Sequence, residues 1–321
     1  MLKKLLCAAG IALGLPLVPI AASAQGGQPV QLIVPYNPGG GSDLFGRMVA
    51  PALGKALQET IVVENRAGAG GIIGTEAVVK SAPPNKMLLV SDSAVYSIIP
   101  SLYASLSYSR KDLIPVANLA SFGNVLVVPA TSRFKTFQDV LEAARKTPGK
   151  LTIGSSGAGG ITHLAAEKLM EQAKIKLVHV PYKGSGPAIS DTVGGHIDMV
   201  FTGLPSVLEL LRAGKLRALA IATPNRSPYA SDIPTISESG VPGFSAMISQ
   251  GLFAPATMPA AEIQKLNQAV QDFMRDPKTV ETLQKMMVEP VYQSAAEYKQ
   301  WLDAESKDWA GLIKRANVKV E

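Results

Sequence analysis

Apolar and polar positions along this chain follow two alternating periods. Val30-Gln31-Leu32-Ile33-Val34 is an almost unbroken apolar run stopped by Pro35, the pattern of a buried strand. Leu44, Met48, Val49, Ala52, Leu53, Ala56 and Leu57 then recur at helical spacing. Between them lies Tyr36-Asn37-Pro38-Gly39-Gly40-Gly41-Ser42-Asp43, so the unit is strand, glycine loop, helix. A helix entered in this way presents unpaired N–H groups at its first turn, and glycines let an anion approach them. Gly39, Gly40 and Gly41 are therefore a candidate anion seat, with Asp43 or Ser42 as helix cap and the Tyr36 phenol as a donor at the strand end. A carboxylate beside an anion would repel it, so Asp43 is expected to orient the loop or to meet a ligand amine or bridging water.

The same unit recurs in mid-chain, where residues 150–153 run through Gly154-Ser155-Ser156-Gly157-Ala158-Gly159-Gly160 into a helix over 161–173 that carries His163. Two such seats far apart in sequence point to one on each of two lobes. Elsewhere the pattern predicts strands near 59–66 and 87–90 with a helix between them. A long strand over 116–128, interrupted at Gly123-Asn124, suits passage from one lobe to the other. The second lobe is predicted to hold strands at 151–153, 177–180, 199–202 and 216–222, with helices at 136–145, 161–173, 186–193 and 206–213. The proline-rich 223–242 reads as a surface connection, 244–254 as a returning strand, and 261–274, 280–287 and 295–316 as helices. Trp301 and Trp309 share a face of the last helix and read as core anchors. Alternation at this spacing predicts α/β lobes with mainly parallel sheets, whose ligand-facing loops follow the carboxyl ends of the strands. Ser93 and Thr202 sit at such ends.

Residues 1–24 carry Lys3 and Lys4, an apolar stretch broken by Pro16 and Pro19, and the small-residue site Ala22-Ser23-Ala24, which is the pattern of a cleaved secretory signal peptide. The only cysteine, Cys7, lies within it, so the mature chain is expected to lack disulfides and thiol nucleophiles. Loss of Lys3 and Lys4 lowers the formal charge from +6 to +4. With no basic run, nucleic acid is not an expected partner.

The glycine clusters fit no nucleotide fingerprint. A dinucleotide pattern would need glycine where the chain has Ile73, Thr162 or Leu44, and no lysine completes a phosphate loop. Ser155 and Ser156 lie near His163, but no Gly-x-Ser-x-Gly elbow is present. His163, His179 and His196 form no short-spaced ligand pair, so no metal and no cofactor are expected.

Taken together, Val34 to Asp43, Val63-Glu-Asn-Arg-Ala-Gly-Ala-Gly-Gly71, Pro148 to Gly157, His179-Val-Pro-Tyr-Lys-Gly184, Gly214-Lys-Leu-Arg-Ala-Leu-Ala220 and Pro242-Gly-Phe244 closely resemble the Bug family of TctC-like periplasmic receptors. The resemblance covers essentially the whole mature chain. One departure is Pro84-Asn85-Lys86-Met87-Leu88, where the family has Pro-Asp-Gly-Tyr-Thr; that turn is expected to face away from the cleft. The resemblance implies a two-lobed, type II-like periplasmic binding fold, with 25–124 plus 247–321 as one lobe, 125–246 as the other and crossover strands as hinge. It implies no enzyme but a monomeric receptor that binds a small carboxylate and delivers it to the membrane subunits of a tripartite tricarboxylate-type transporter. A ligand-presenting sensor and a carboxylate-processing enzyme are the alternatives. By position it points to Tyr36, Gly39, Gly40, Gly41 and Asp43 on the first lobe and Ser155, Ser156, Gly157 and His163 on the second, with Ser93 and Thr202 as further candidates.

Overall fold

The computed structural model describes residues 28–319 apart from Ala104 and Glu289, so the signal-peptide assignment lies outside the described residues. Among the described residues nine strands form the frame: β1 Val30–Val34, β2 Ile61–Asn65, β3 Met87–Asp92, β4 Leu113–Pro129, β5 Thr152–Ser155, β6 Val178–Pro181, β7 Met199–Gly203, β8 Leu216–Ile221 and β9 Met247–Pro255. They pair in the order β2-β1-β3-β9-β4-β7-β5-β6, with β8 also on β4.

β4 is the axis of the molecule. Its first part, Leu113 to Gly123, pairs with β9, and from Asn124 onward it pairs with β7 and β8. One strand thus belongs to two half-sheets, and the fold is two-lobed. The expected Gly123-Asn124 interruption falls where the partners change. In the first half-sheet β1 lies parallel between β2 and β3; in the second β5 lies parallel between β6 and β7. The crossover strands are the antiparallel members of these sheets. β9 is antiparallel to β3 and β4, and β4 is antiparallel to β7 and β8. A strand that enters a half-sheet from the neighbouring lobe arrives from the opposite end, which fixes that direction.

Strands buried on both faces carry continuous apolar runs. Leu32, Leu88, Leu126, Met199 and Phe201 join Val49, Leu53, Leu164 and Leu169 from the flanking helices in one cluster that runs through both half-sheets. Trp309 belongs to that cluster, whereas Trp301 packs on a second one, its ring 6.3 Å from that of Tyr298. The divergent turn is a short 3-10 segment, Pro84–Lys86, at the amino end of β3 and hence at the opposite end of that strand from the loops below.

Candidate functional site

The carboxyl ends of β1, β3 and β5 face a cleft between the lobes. Three helices begin there: Gly41–Leu57, Ile161–Ala173 and Ser185–Val193. Gly40, Gly160 and Gly184 precede them, and none of the three starts has a side-chain cap. Leu44 N–H bonds the Gly40 carbonyl and Leu164 N–H that of Gly160, so helix geometry leaves the N–H groups before Leu44 and Leu164 without intrahelical acceptors. Gly40, Gly41, Ser42, Ile161, Thr162 and Ser185 from these starts line the cleft. Three positive dipole ends with glycine entrances converge on one space.

Side chains complete it. Gln250, on the crossover strand β9, accepts at Oε1 a 2.7 Å hydrogen bond from Ser42 Oγ. That leaves its Nε2 as a donor, 3.0 Å from where a Cβ on Gly41 would stand. Ser156 N–H donates to Thr162 Oγ1 at 2.9 Å, and the two hydroxyls also lie 2.9 Å apart. Phe122, Gly203, Ser206 and Ile248 close the walls, and among the described lining residues there is no lysine or arginine. An anion here would be held by dipoles rather than by a countercharge.

Of the residues singled out from the sequence, Tyr36, Gly40, Gly41, Asp43 and Ser156 line this cleft, and Gly157 lines the adjoining recess against Gly70 and Tyr182. Several have other duties. The Tyr36 hydroxyl donates to Asp92 Oδ1 at 3.0 Å, and burial, then the neighbouring Asp92 charge, pushes its pKa well up. Gly39 N–H is turned to Asp43 Oδ2 at 3.2 Å and is not offered to a ligand. The Asp43 carboxylate is engaged by neighbours: Oδ1 accepts from Arg47 Nε and Nη2 at 3.1 and 2.9 Å and from Asn65 Nδ2 at 3.1 Å. Burial would raise its pKa, but the bonds from Arg47, Gly39 and Asn65 prevail and hold it below the usual carboxylate range. The carboxylate thus has partners of its own and does not oppose an anion at the helix start.

Ser93, Ser155, His163 and Thr202 are not among the residues that line the cleft. Ser93 is buried behind the cleft, its hydroxyl donating to Glu305 Oε1 at 3.1 Å. Ser155 Oγ lies 2.6 Å from His179 Nε2, under the loop rather than in it. His163 stacks on His179 with ring centroids 3.8 Å apart and accepts Gly159 N–H at Nδ1, 3.0 Å. Burial, reinforced by His163, lowers the His179 pKa to about 3, so that imidazole is neutral. The paired rings support the glycine loop from beneath. Thr202 is wholly buried on β7 and its hydroxyl has no partner among the described residues; its neighbour Gly203 reaches the cleft instead.

Sequence reasoning missed Gln250, Asp92, Thr162, Ser185 and Ser206. Only strand order brings β9 and β3 to the first loop. The third seat did carry a signal, since Lys183-Gly184-Ser185-Gly186 precedes a helical stretch after a strand.

A two-lobed α/β fold with a cleft at the strand ends, bridged by crossover strands, is the architecture of a periplasmic solute-binding protein. The family described as "Tripartite tricarboxylate transporter family receptor" (TctC) matches residues 45–318. The chain belongs to this family. It is 32% identical over 305 residues to protein BugT of Bordetella pertussis, covering 94% of each chain. Among solved structures it resembles R. palustris Rpa4515 with adipate (29% identity, TM-score 0.87, covering 91% of this chain and 98% of that one). It is also similar to MatC of Rhodopseudomonas palustris with bound malate (27% identity, TM-score 0.83, 89% and 98%).

Proposed function

We propose that this chain is a monomeric receptor that captures a small carboxylate between its lobes and presents it to the membrane subunits of a tripartite tricarboxylate-type transporter. The observation that carries this reading is the meeting of three glycine-entered helix starts, none side-chain capped, in a cleft lined by no cationic side chain among the described residues. Two anionic-ligand relatives, with adipate and with malate, support the ligand class. The work is binding rather than turnover, carried out in the periplasm after removal of residues 1–24. Gly40, Gly41, Ser42 and Gln250 would meet the carboxylate from the first lobe and Ser156, Thr162 and Ser185 from the second. The lobes are 25–124 plus 247–321 and 125–246, a division supported by the change of strand partners at Gly123/Asn124 and by the start of β9 at Met247.

The space open to water in the cleft is about 30 Å³, room for little more than water. This is the closed form, and the lobes part to admit a ligand. A ligand that binds closed better than open shifts the population toward closed, the shape a transporter would recognise. A thermal-shift screen of the mature protein against mono-, di- and tricarboxylates tests the reading. Binding at a hundredfold excess over Kd stabilises the fold by about 2.7 kcal/mol. A saturable shift that Gln250→Ala abolishes supports it; folded, ligand-free protein that shifts with no carboxylate overturns it.

A further inference from the structure

Asp92 ends β3 inside the cleft, and a carboxylate is the wrong charge to place in an anion seat. Its Oδ1 is engaged twice, accepting the Tyr36 hydroxyl and Ala94 N–H, each at 3.0 Å. Those two bonds fix its direction. Oδ2 has no hydrogen-bond partner among the described residues, is not one of the wholly enclosed unpartnered atoms, and belongs to a residue that lines the cleft. Asp92 as a whole is only 5% exposed, and among the described residues no lysine or arginine lines the cleft to offset it. A buried charge without a partner is costly. Among the described residues no cationic side chain supplies that partner, and a group that enters the cleft can.

We propose that Asp92 Oδ2 accepts a hydrogen bond from a donor that the ligand carries beside its carboxylate, an ammonium or a hydroxyl, so that the receptor selects amino or hydroxy acids over the unsubstituted acid of the same skeleton. This deepens the carboxylate reading and rests on it. The helix starts and Gln250 Nε2 are donors and suit the ligand's carboxylate; Asp92 is the ionisable acceptor in the same space and suits the opposite kind of group. An acid lacking the donor would desolvate Asp92 and leave it unpaired, and sites built to hydrogen-bond a substrate group discriminate strongly against analogues without it. Tyr36 is a positioning residue in this scheme, since its hydroxyl is spent on Oδ1.

Calorimetric titration with matched sets of acids is the test: succinate, malate and aspartate, then propionate, lactate and alanine, on wild type and Asp92→Asn. In at least one set the hydroxy or amino member should bind wild type about 10-fold or more tightly than the plain acid, and Asp92→Asn should narrow that preference to less than about 3-fold. Asp92→Ser, which keeps a hydroxyl acceptor at the strand end, serves as the second variant if the amide does not fold. Binding of the plain acids with no preference in wild type, or a preference undiminished in the variants, overturns the inference and leaves the carboxylate reading standing. If no acid of either set binds folded wild type, while the wider carboxylate screen finds ligands without a donor, the inference falls as well. If that screen is also silent, both fall together.

Discussion

Asp43 illustrates what one residue can and cannot say. Its place after three glycines marked it as a candidate for the seat, and it lines the cleft; the direction of its carboxylate was not legible, because Arg47 and Asn65 reach it from a helix turn and a neighbouring strand. Asp43→Ala should therefore cost about 1–3 kcal/mol of stability, read by denaturant unfolding, by leaving the Gly39 loop untied. The stacked His163 and His179 were equally hidden, since only the pairing of β5 with β6 brings them together. Buried acids give a pH signature. Burial pushes Glu305 up to about 7 and Asp92 up to about 6, Glu305 being held by hydrogen bonds from Ser97 and Ser93 and facing the like charge of Asp92. Folded pKa values above the unfolded ones mean that the folded state holds these protons more tightly. Their stabilisation is fully present below about pH 4 and is lost as pH rises through 6 and 7. Asp43, depressed, acts oppositely and loses its contribution as pH falls through its folded value. Tm should accordingly be higher at pH 5.5 than at pH 8, and Glu305→Gln should flatten most of that difference.

At the scale of the element, three capped helix starts contrast with the three at the cleft. Thr136, Asp276 and Ser294 cap the helices Phe137–Lys146, Pro277–Lys285 and Ala295–Ala316 with their side chains, away from the cleft. Gly40, Gly160 and Gly184 leave theirs open within it. The first two glycine-entered starts were legible because strand, glycine loop and helix follow one another in sequence. The capping contrast predicts opposite effects. Ser294→Ala should lower stability by about 1 kcal/mol with carboxylate affinity unchanged. Gly40→Asp supplies an internal carboxylate to the helix start; at φ −89° and with its Cβ position 3.8 Å from Ser185 the new side chain fits without backbone strain. It should raise stability while weakening carboxylate binding about 10-fold or more, measured by calorimetry. The crossover strands were also legible as long apolar runs, but their antiparallel pairing was not, because direction within a half-sheet depends on which end the chain enters.

For the whole molecule, closure is a meeting of backbones. A Cβ on Gly70 would stand 2.8 Å from the Ala158 carbonyl of the opposite lobe, and one on Gly186 3.1 Å from that of Pro38. The glycine cluster at 68–71 therefore has a role its sequence did not disclose: it lets the lobes approach. Gly186→Ala, at a position with no positive φ, should leave the Tm of the ligand-free protein within about 2 °C of wild type. It should nevertheless lower ligand affinity severalfold by disfavouring the closed form. Two lobes, hinge and seat could be read from local pattern and from resemblance to a family, whereas the cleft walls come from β3 and β9 and required the strand order. The central claim, that three helix starts hold a carboxylate by its charge, is tested most directly by titrating the best-bound acid and its primary amide against the same protein. The account predicts that the amide binds at least about 100-fold more weakly, since it brings N–H groups and no charge to the ends of three dipoles; an amide that binds as tightly as the acid would contradict it.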